Sequence, residues 1–555
     1  MQTGAEILVR ALERENVELV FAYPGGANLE ILDCLLKSSI RIILVRHEQG
    51  AAHEASGYAR AGGKPGVCLV TSGPGATNLV TGIAAAGMDS VPVVFITGQV
   101  LASKVGTDAF QEVDVTGITD PITKHNYLIK DVHAVAQSVK EAFYIASSGR
   151  PGPVLIDFPR DVALACSPVT EAAAVSLRGY KPNLKGHAGQ IKQVAGLLAQ
   201  AQRPVIIAGG GVIGSGSWEE LLRLAESQRI PVANTLMGAG SIPYDHPLAL
   251  GMAGVHGLAP ANLAIQKSDL LIGLGTRFSD RLTCSVEGFA PHAKIVHIDV
   301  DPAEIGKNIR VDVPLVGDLK IVLNQLLEKL GQPAARTEWA DEIKALKTIK
   351  APGSRAGGEL SPITVLEALS EHLPDRALVT TDVGQHQIWA AQRLPHRRPR
   401  GFLSSGGLGA MGYGIPAAIG AQIAFPGETV VAVTGDGSFQ MGLPELGTAK
   451  EQKLPIKILL LNNSSLGLVK QLQDYYCGQR YAAVFFDDNP DFGLLIRAYG
   501  GSYYPASDEA SLRAAMPAFL AGPGLALLDA KVAREENVLP MVLSGNALDK
   551  MEGAD

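Results

Sequence analysis

Short apolar runs recur along the chain at residues 67–71, 91–97, 154–158, 205–208, 270–273, 295–298, 378–381, 430–433, 457–461 and 525–528. Several are rich in valine and isoleucine at odd and even positions alike. A strand with one wet face would alternate apolar and polar residues, so this pattern predicts strands covered on both faces, as in parallel sheets. Amphipathic stretches such as 5–15, 190–201 and 218–227 lie between the runs and read as helices. Strand and helix alternating in this way predict an α/β fold of doubly wound parallel sheets.

Two stretches break the alternation. Residues 168–187 turn to Ser, Ala, Lys, Gly and Pro, and 331–359 are charged, with Ala351-Pro352-Gly353-Ser354 near their end. Read as linkers, they leave three domains at 1–167, 188–331 and 360–545. The first and last share an echo. A strand runs into Ser72-Gly73-Pro74-Gly75-Ala76-Thr77-Asn78 in one and into Gly435-Asp436-Gly437-Ser438-Phe439 in the other. Glycine-rich turns at the carboxyl ends of strands are where open α/β sheets bind ligands, although the echo alone does not establish a duplication.

Composition narrows the partners. With 46% hydrophobic and 19% charged residues, the chain is an ordinary globular one. The net charge of −7 is dispersed and no basic tract occurs, which argues against a nucleic-acid partner. No apolar run reaches the roughly 18–20 residues of a membrane span, and Met1-Gln2-Thr3-Gly4-Ala5-Glu6 is not a basic-then-apolar signal. The five cysteines, Cys34, Cys68, Cys166, Cys284 and Cys477, are scattered without C-x-x-C spacing. That disfavours a disulfide framework or a zinc site and points to a reducing cytoplasm.

The most specific chemistry lies in Gly435-Asp436-Gly437, followed 27 residues after Asp436 by the second residue of Asn462-Asn463. Each group sits just beyond a predicted strand, so a strand–helix–strand unit brings Asp436 and Asn463 to one sheet edge. Two side-chain oxygens there suit a hard cation such as magnesium. The glycines let backbone N–H groups reach diphosphate oxygens, and the cation separates those oxygens from the carboxylate. Alone, Gly-Asp-Gly reads as a turn and a capped helix; the asparagine pair at this spacing favours the metal site. In the first domain Glu48 follows the strand-like 42–45 within Arg46-His47-Glu48-Gln49-Gly50. A carboxylate there can be held dry as a proton relay; without the second motif it would read as a surface residue.

The Gly-Asp-Gly…Asn-Asn pattern resembles the thiamine-diphosphate-binding motif of thiamine-dependent enzymes. Further phrases are Tyr23-Pro24-Gly25-Gly26, Gly106-Thr107-Asp108-Ala109-Phe110-Gln111-Glu112, Ser148-Gly149-Arg150-Pro151-Gly152-Pro153, Thr381-Asp382-Val383-Gly384-Gln385-His386-Gln387 and Gly406-Gly407-Leu408-Gly409-Ala410-Met411-Gly412. With the Ser72–Asn78 turn they resemble, over nearly the whole chain, the catalytic subunit of the acetohydroxyacid (acetolactate) synthase family. The resemblance implies a pyrimidine-binding first domain, a diphosphate-binding last domain and a cofactor bridging two chains, hence a homodimer or homotetramer. It implies catalytic Glu48, Gln111 and Gly26, and magnesium on Asp436, Asn463 and Ser465. Val383, Gly384, Gln385, His386, Gly409, Met411, Gly435, Gly437, Ser438, Leu466 and Gly467 would line the cofactor, with Met411 as an apolar wedge. Phe110, Met252, Arg277 and Leu472 would shape the substrate pocket.

In the middle domain, Ala208-Gly209-Gly210-Gly211-Val212-Ile213-Gly214 is by itself a weak nucleotide signal. Leu274-Gly275-Thr276-Arg277-Phe278-Ser279-Asp280-Arg281 and His297-Ile298-Asp299-Val300-Asp301-Pro302 are similar to segments that hold FAD in this family. Arg150, Gly210, Gly211, Thr235, Leu236, His256, Arg277, Asp299 and Asp318 are the implied contacts. The flavin would be structural, and Arg277 would also grip a substrate carboxylate.

The implied reaction decarboxylates pyruvate and joins the two-carbon unit to a second 2-keto acid. The product is 2-acetolactate, or 2-aceto-2-hydroxybutyrate from 2-oxobutyrate, on the way to branched-chain amino acids. Three places depart from the family: Ser279 stands where an aspartate is usual, Leu472 where many members carry tryptophan, and Ser464-Ser465 where other pairs are commoner. Leu472 predicts little preference for 2-oxobutyrate over pyruvate and resistance to sulfonylurea-type inhibitors. Separate regulatory subunits are common in the family. Alternatives left open by the sequence are another thiamine-dependent carboligase or decarboxylase, a flavin-linked pyruvate oxidase, and a non-catalytic nucleotide-binding protein.

Overall fold

Apolar runs of this kind need cover on both faces, and the computed structural model, which describes residues 1–168, 172–349, 353 and 359–554, supplies it. The strands Gly66–Val70, Val93–Gln99, Val154–Pro159, Pro204–Ala208, Leu270–Leu274 and Lys457–Asn462 are buried at every position. Each buried Val, Ile or Leu side chain stabilises by about 1.5–3 kcal/mol. These strands belong to three six-stranded sheets, parallel throughout.

The first sheet runs, edge to edge, Arg41–Leu44, Leu19–Ala22, Gly66–Val70, Val93–Gln99, Val154–Pro159, His125–Leu128. The last runs Phe402–Ser404, Leu378–Thr381, Val430–Gly435, Lys457–Asn462, Ala526–Lys531, Ser502–Ala506. Numbered along the chain within each domain, both orders are 2-1-3-4-6-5. The central sheet runs Ala249–Met252, Val232–Asn234, Pro204–Ala208, Leu270–Leu274, Lys294–Asp299, Val313–Val316, an order of 3-2-1-4-5-6. Where such an order reverses direction, the loops diverge and leave a crevice at the carboxyl ends of the strands. The reversal falls between Leu19–Ala22 and Gly66–Val70, between Leu378–Thr381 and Val430–Gly435, and between Pro204–Ala208 and Leu270–Leu274.

The first and last domains meet along the helices Glu48–Gly62 and Gly414–Ala424. Glycine at the crossing allows the approach: a methyl group at Gly57 would run into the Ala417 carbonyl, and one at Gly420 into the Glu54 carbonyl. Glu54 is fully buried there, and burial together with the neighbouring Glu445 carboxyl pushes its carboxyl well above the usual range.

The linkers differ from expectation. Residues 169–171 lie outside the described residues; after them, Leu177 and Tyr180 pack on the first domain's core, and Tyr180 Oη accepts a hydrogen bond from Lys124 Nζ at 2.9 Å. Of 331–359, residues 350–352 and 354–358, with most of Ala351-Pro352-Gly353-Ser354, lie outside the described residues. The rest is not a plain connection. Thr337–Leu346 is a helix whose Trp339, Ile343 and Leu346 join the core under the central sheet. Before it, Arg336 donates to the carbonyls of Leu198, Ala201 and Gln228, satisfying the ends of two central-domain helices. At the other end, Val542 and Leu548 also pack on the central core, and the Val542 N–H donates to the Val255 carbonyl at 2.7 Å. Among the described residues no helix is long and apolar enough to cross a membrane.

Candidate active site

In the last sheet Gly435 lies opposite Leu461 in parallel register, so Asp436 and Asn463 leave neighbouring strands at the same edge. Asp436 is completely buried at the start of the helix Asp436–Gly442. Its Oδ2 accepts from Asn489 Nδ2 at 2.9 Å and its Oδ1 from the Gly437 N–H at 3.2 Å. Burial pushes the carboxyl up to about 6, against the pull of those donors and of the Ser464 backbone. Asn463 Oδ1 accepts the Ser465 N–H at 3.1 Å, and its Nδ2 donates to Gln385 Oε1 at 3.4 Å. A side chain at Gly467 would collide with Gln385 and Asn463, and one at Gly437 with Leu466. Gly435 lies against His386, and Gly409, at φ +76°, faces Val383. Met411 is half-buried just beyond that turn. The expected lining residues thus gather at the carboxyl ends of four adjacent strands.

Among the described residues, three buried polar atoms in this crevice have no hydrogen-bond partner: Ser438 Oγ, Ser465 Oγ and His386 Nε2. His386 Nε2 stands 4.0 Å from Asp382 Oδ2, too far for a hydrogen bond, and burial pushes the imidazole down to about 3, so the ring is neutral and forms no ion pair. Each unsatisfied buried group costs about 1–3 kcal/mol. Three together in a concave, glycine-lined place suit a polar ligand that would satisfy them. The donor set of Asp436, Asn463 and Ser465 is all oxygen, which fits magnesium and a diphosphate.

The first domain builds a second half-site. Glu48, 8% exposed, opens the helix Glu48–Gly62, and its Oε2 accepts from Asn78 Nδ2 at 2.9 Å. Gly75 leaves room beside Oε1, and Gly73, at φ +60°, packs against the Gln111 backbone. Gln111 itself sits at φ +58°. Gly26 is exposed with open space at its Cα. Phe110 is 88% exposed, standing off the chain rather than walling a pocket within it. Among the described residues no hydrogen bond joins Glu48 to Asp436, Asn463 or Gln385. Beside Glu48 the last domain is reached instead through Glu445, which accepts the Arg46 and His47 backbone N–H groups.

The flavin candidates surround the central crevice less closely. The glycine turn packs on Gly275, with the Gly211 N–H donating to the Gly275 carbonyl at 3.0 Å, and Gly210 faces Met237. Arg150, from the first domain, reaches Glu304 Oε1 at 2.7 Å and Ser90 Oγ at 2.8 Å. Asp299 ends the strand Lys294–Asp299, and burial pushes its carboxyl up to about 6. His256 Nδ1 is buried without a partner, and burial lowers that imidazole to about 4. A turn of backbone packed this tightly, with one unpartnered imidazole nitrogen and a buried carboxylate, fits a dinucleotide's phosphates and hydroxyls. Thr235 and Asp318 are spent locally: Thr235 caps Leu236–Gly238, and Asp318 Oδ1 accepts the Ile321 N–H. Leu236 and Met252 pack toward the last domain's core. Leu472, 39% exposed, sits on the helix Gly467–Tyr476.

Sequence reasoning left several contacts without a role. Asn489 lies 53 residues from the Asp436 it braces, with no local pattern connecting them. Asn78 stands inside a quoted phrase, but its bond to Glu48 depends on tertiary packing. Asp89 joins three domains: its carboxylate accepts the Gly407 N–H at 2.7 Å and the Gly406 N–H at 3.2 Å, with Arg60 at 3.5 Å and Arg277 close enough to act on its charge. It thereby ties the turn that carries Gly409 and Met411 to the first domain.

Comparison with known proteins agrees with this geometry. Residues 2–118 match the family model of the thiamine pyrophosphate enzyme N-terminal TPP binding domain, 191–326 the central domain and 382–530 the C-terminal TPP binding domain. A probable acetolactate synthase large subunit of Methanocaldococcus jannaschii is 50% identical, the match covering 90% of this chain and 86% of that one. An acetolactate synthase of Mycobacterium bovis is 46% identical over 100% of this chain and 91% of its own. A chloroplastic acetolactate synthase of Arabidopsis thaliana is 46% identical over 98% and 84%. The chain belongs to the acetolactate synthase family of thiamine pyrophosphate enzymes.

Proposed function

We propose that this chain carries out acetolactate synthesis as half of a two-chain unit, the last domain of one copy facing the first domain of another. The observation that carries this reading is the pairing of two incomplete half-sites. One is a crevice with orphaned polar atoms beside Asp436 and Asn463; the other holds a buried carboxylate, Glu48, with no bond to that crevice. The exposed Phe110, Met441 and Leu408 support an apolar partner surface of the same kind. A homotetramer would repeat this pair. The relative named a large subunit supports a separate regulatory chain as a further partner. The five free thiols suit a cytoplasmic setting.

Asp436, Asn463 and Ser465 would hold Mg2+, and the backbone of Gly435 and Gly437 would meet the diphosphate. Val383, Gly384, Gln385, His386, Gly409, Met411, Ser438, Leu466 and Gly467 would enclose the rest, Met411 as an apolar support. Thiamine diphosphate supplies the nucleophilic carbon and the electron sink. The buried Glu48 carboxyl would be the group offered to the aminopyrimidine ring for proton exchange, in a place dry enough to keep water from competing. Gln111 and Gly26 frame the reacting carbon, and Phe110 walls the approach. Arg277 offers a planar two-pronged donor to the carboxylate of the second keto acid, with Met252 and Leu472 bounding its side chain. Pyruvate loses carbon dioxide and its remaining two carbons join a second pyruvate, giving 2-acetolactate. At the central domain Arg150, Gly210, Gly211, Leu236, His256, Arg277 and Asp299 would hold FAD in a structural role, with Thr235 and Asp318, whose side chains are tied to Gly238 and Ile321, shaping the turns beside it.

A product assay with pyruvate, thiamine diphosphate, Mg2+ and FAD tests the reading. Acetolactate is expected, with no bleaching of the flavin; acetaldehyde or acetate in its place refutes it. Leu472 adds a second expectation. Competition between pyruvate and 2-oxobutyrate as acceptors should show little preference for the larger acid, below the roughly 10-fold at which a pocket shaped around one extra methylene begins to discriminate. A strong bias to the larger acid contradicts that role.

A further inference from the structure

We propose that Asn78 is a positioning residue that selects which oxygen of Glu48 exchanges the proton. This rests on the reading of Glu48 given above. The amide nitrogen of Asn78 donates to Glu48 Oε2 at 2.9 Å. The other oxygen, Oε1, lies against Gly75, where an added Cβ would stand 3.4 Å from it, and accepts no hydrogen bond among the described residues. One oxygen is therefore occupied and the other offered.

Asn78 is well placed for this. It ends the short helix Pro74–Thr77, its own N–H donating to the Pro74 carbonyl at 3.0 Å. The next residue, Leu79, is fully buried and sets the backbone before the helix Val80–Met88. Glu48 is fixed from its own side, since His47 Nδ1 accepts the Gln49 N–H at 3.1 Å and closes the first turn of its helix. A carboxylate has only acceptors, so the Asn78 partner must be a donor, and the amide NH2 is the group that supplies one. Without it the carboxylate could turn about its last torsion, which is broad and twofold. The correctly aimed oxygen would then be present for only part of the time.

A double-mutant cycle on the holoenzyme separates this role from a structural one. The readout is deuterium exchange at the reactive carbon of thiamine diphosphate, measured at saturating cofactor and Mg2+. Asn78→Ala is expected to slow exchange about tenfold in the wild-type background, with the cofactor Kd changed by less than about twofold. In the Glu48→Gln background the same change is expected to alter exchange by less than about twofold, because Asn78 then has no carboxylate to aim. Asn78→Asp keeps the shape without the donor and serves if the alanine chain fails to fold; it should slow exchange at least as much. Equal slowing in both backgrounds, or no slowing in either variant, overturns the inference. Exchange in Glu48→Gln as fast as in wild type overturns the reading of Glu48 itself, a separate and recognisable result.

Discussion

The first and last domains have the same strand order and the same crevice at the same switch point, yet they present opposite chemistry there. After its first and third strands the last domain places Val383–His386 and Gly435–Ser438, a glycine-rich wall with Asp436 behind it. At the same two positions the first domain places Tyr23–Gly26 and Thr71–Gly75, with no acid between them, and its carboxylate comes instead after the second strand, as Glu48. The last domain's counterpart of that segment, 405–411, is held by Asp89 and carries Met411. The fold supplies a crevice twice over. In the proposed reading, a few residues at equivalent strand ends would make one copy an anchor for a metal and phosphates and the other a proton donor and acceptor. The helices that pack at their seam, Glu48–Gly62 and Gly414–Ala424, each follow the second strand of their domain.

That division can be broken by experiment. Replacing the anchor should do most. Asp436→Ala is expected to abolish Mg2+-dependent binding of thiamine diphosphate and lower activity by at least about a thousandfold, as loss of an all-oxygen ligand in a buried site requires; retained binding in a calorimetric titration contradicts the assignment. Glu48→Gln should lower kcat by about 10²–10⁴-fold while leaving cofactor affinity within a few-fold. Loss of affinity as well would mean that the first domain also anchors. Asn489→Ala should weaken Mg2+ affinity by about 10–100-fold, the usual effect of removing a group that orients a ligand, with Asp436 still in place.

The smallest effect concerns the seam. Glu54 holds its proton more tightly in the folded chain than in the unfolded one. Over the pH range above the ordinary value of 4.5, up to its raised folded value, the native state therefore binds more protons, and stability falls as pH rises. Glu54→Gln removes that slope, so its melting temperature relative to wild type should rise between pH 5 and pH 8. A constant difference across that range contradicts a protonated Glu54 at the seam.

Legibility followed burial. Central strands such as Val430–Gly435 and Lys457–Asn462 are apolar at nearly every position because both faces are covered, and the sequence pattern marks them. Two edge strands do not carry that mark. His125–Leu128 and Ser502–Ala506 keep polar and half-exposed residues, since one side meets solvent, and they were invisible as apolar runs. The helix Thr337–Leu346 hid in a charged stretch because only one narrow stripe, Trp339, Ile343 and Leu346, is buried. The placement of Asp436, Asn463 and Glu48 just beyond strand ends was readable because the strands before them are apolar runs. Asn489 and Asn78 were not, because what matters is which distant side chain each one reaches.

The most direct measurement is anomalous diffraction from crystals grown with thiamine diphosphate and manganese in place of magnesium. The account predicts one strong manganese peak per chain, within bonding distance of side-chain oxygens of both Asp436 and Asn463, with the pyrimidine ring beside Glu48 of a second copy. A peak elsewhere, or cofactor density bound with no ion between these two residues, would contradict it.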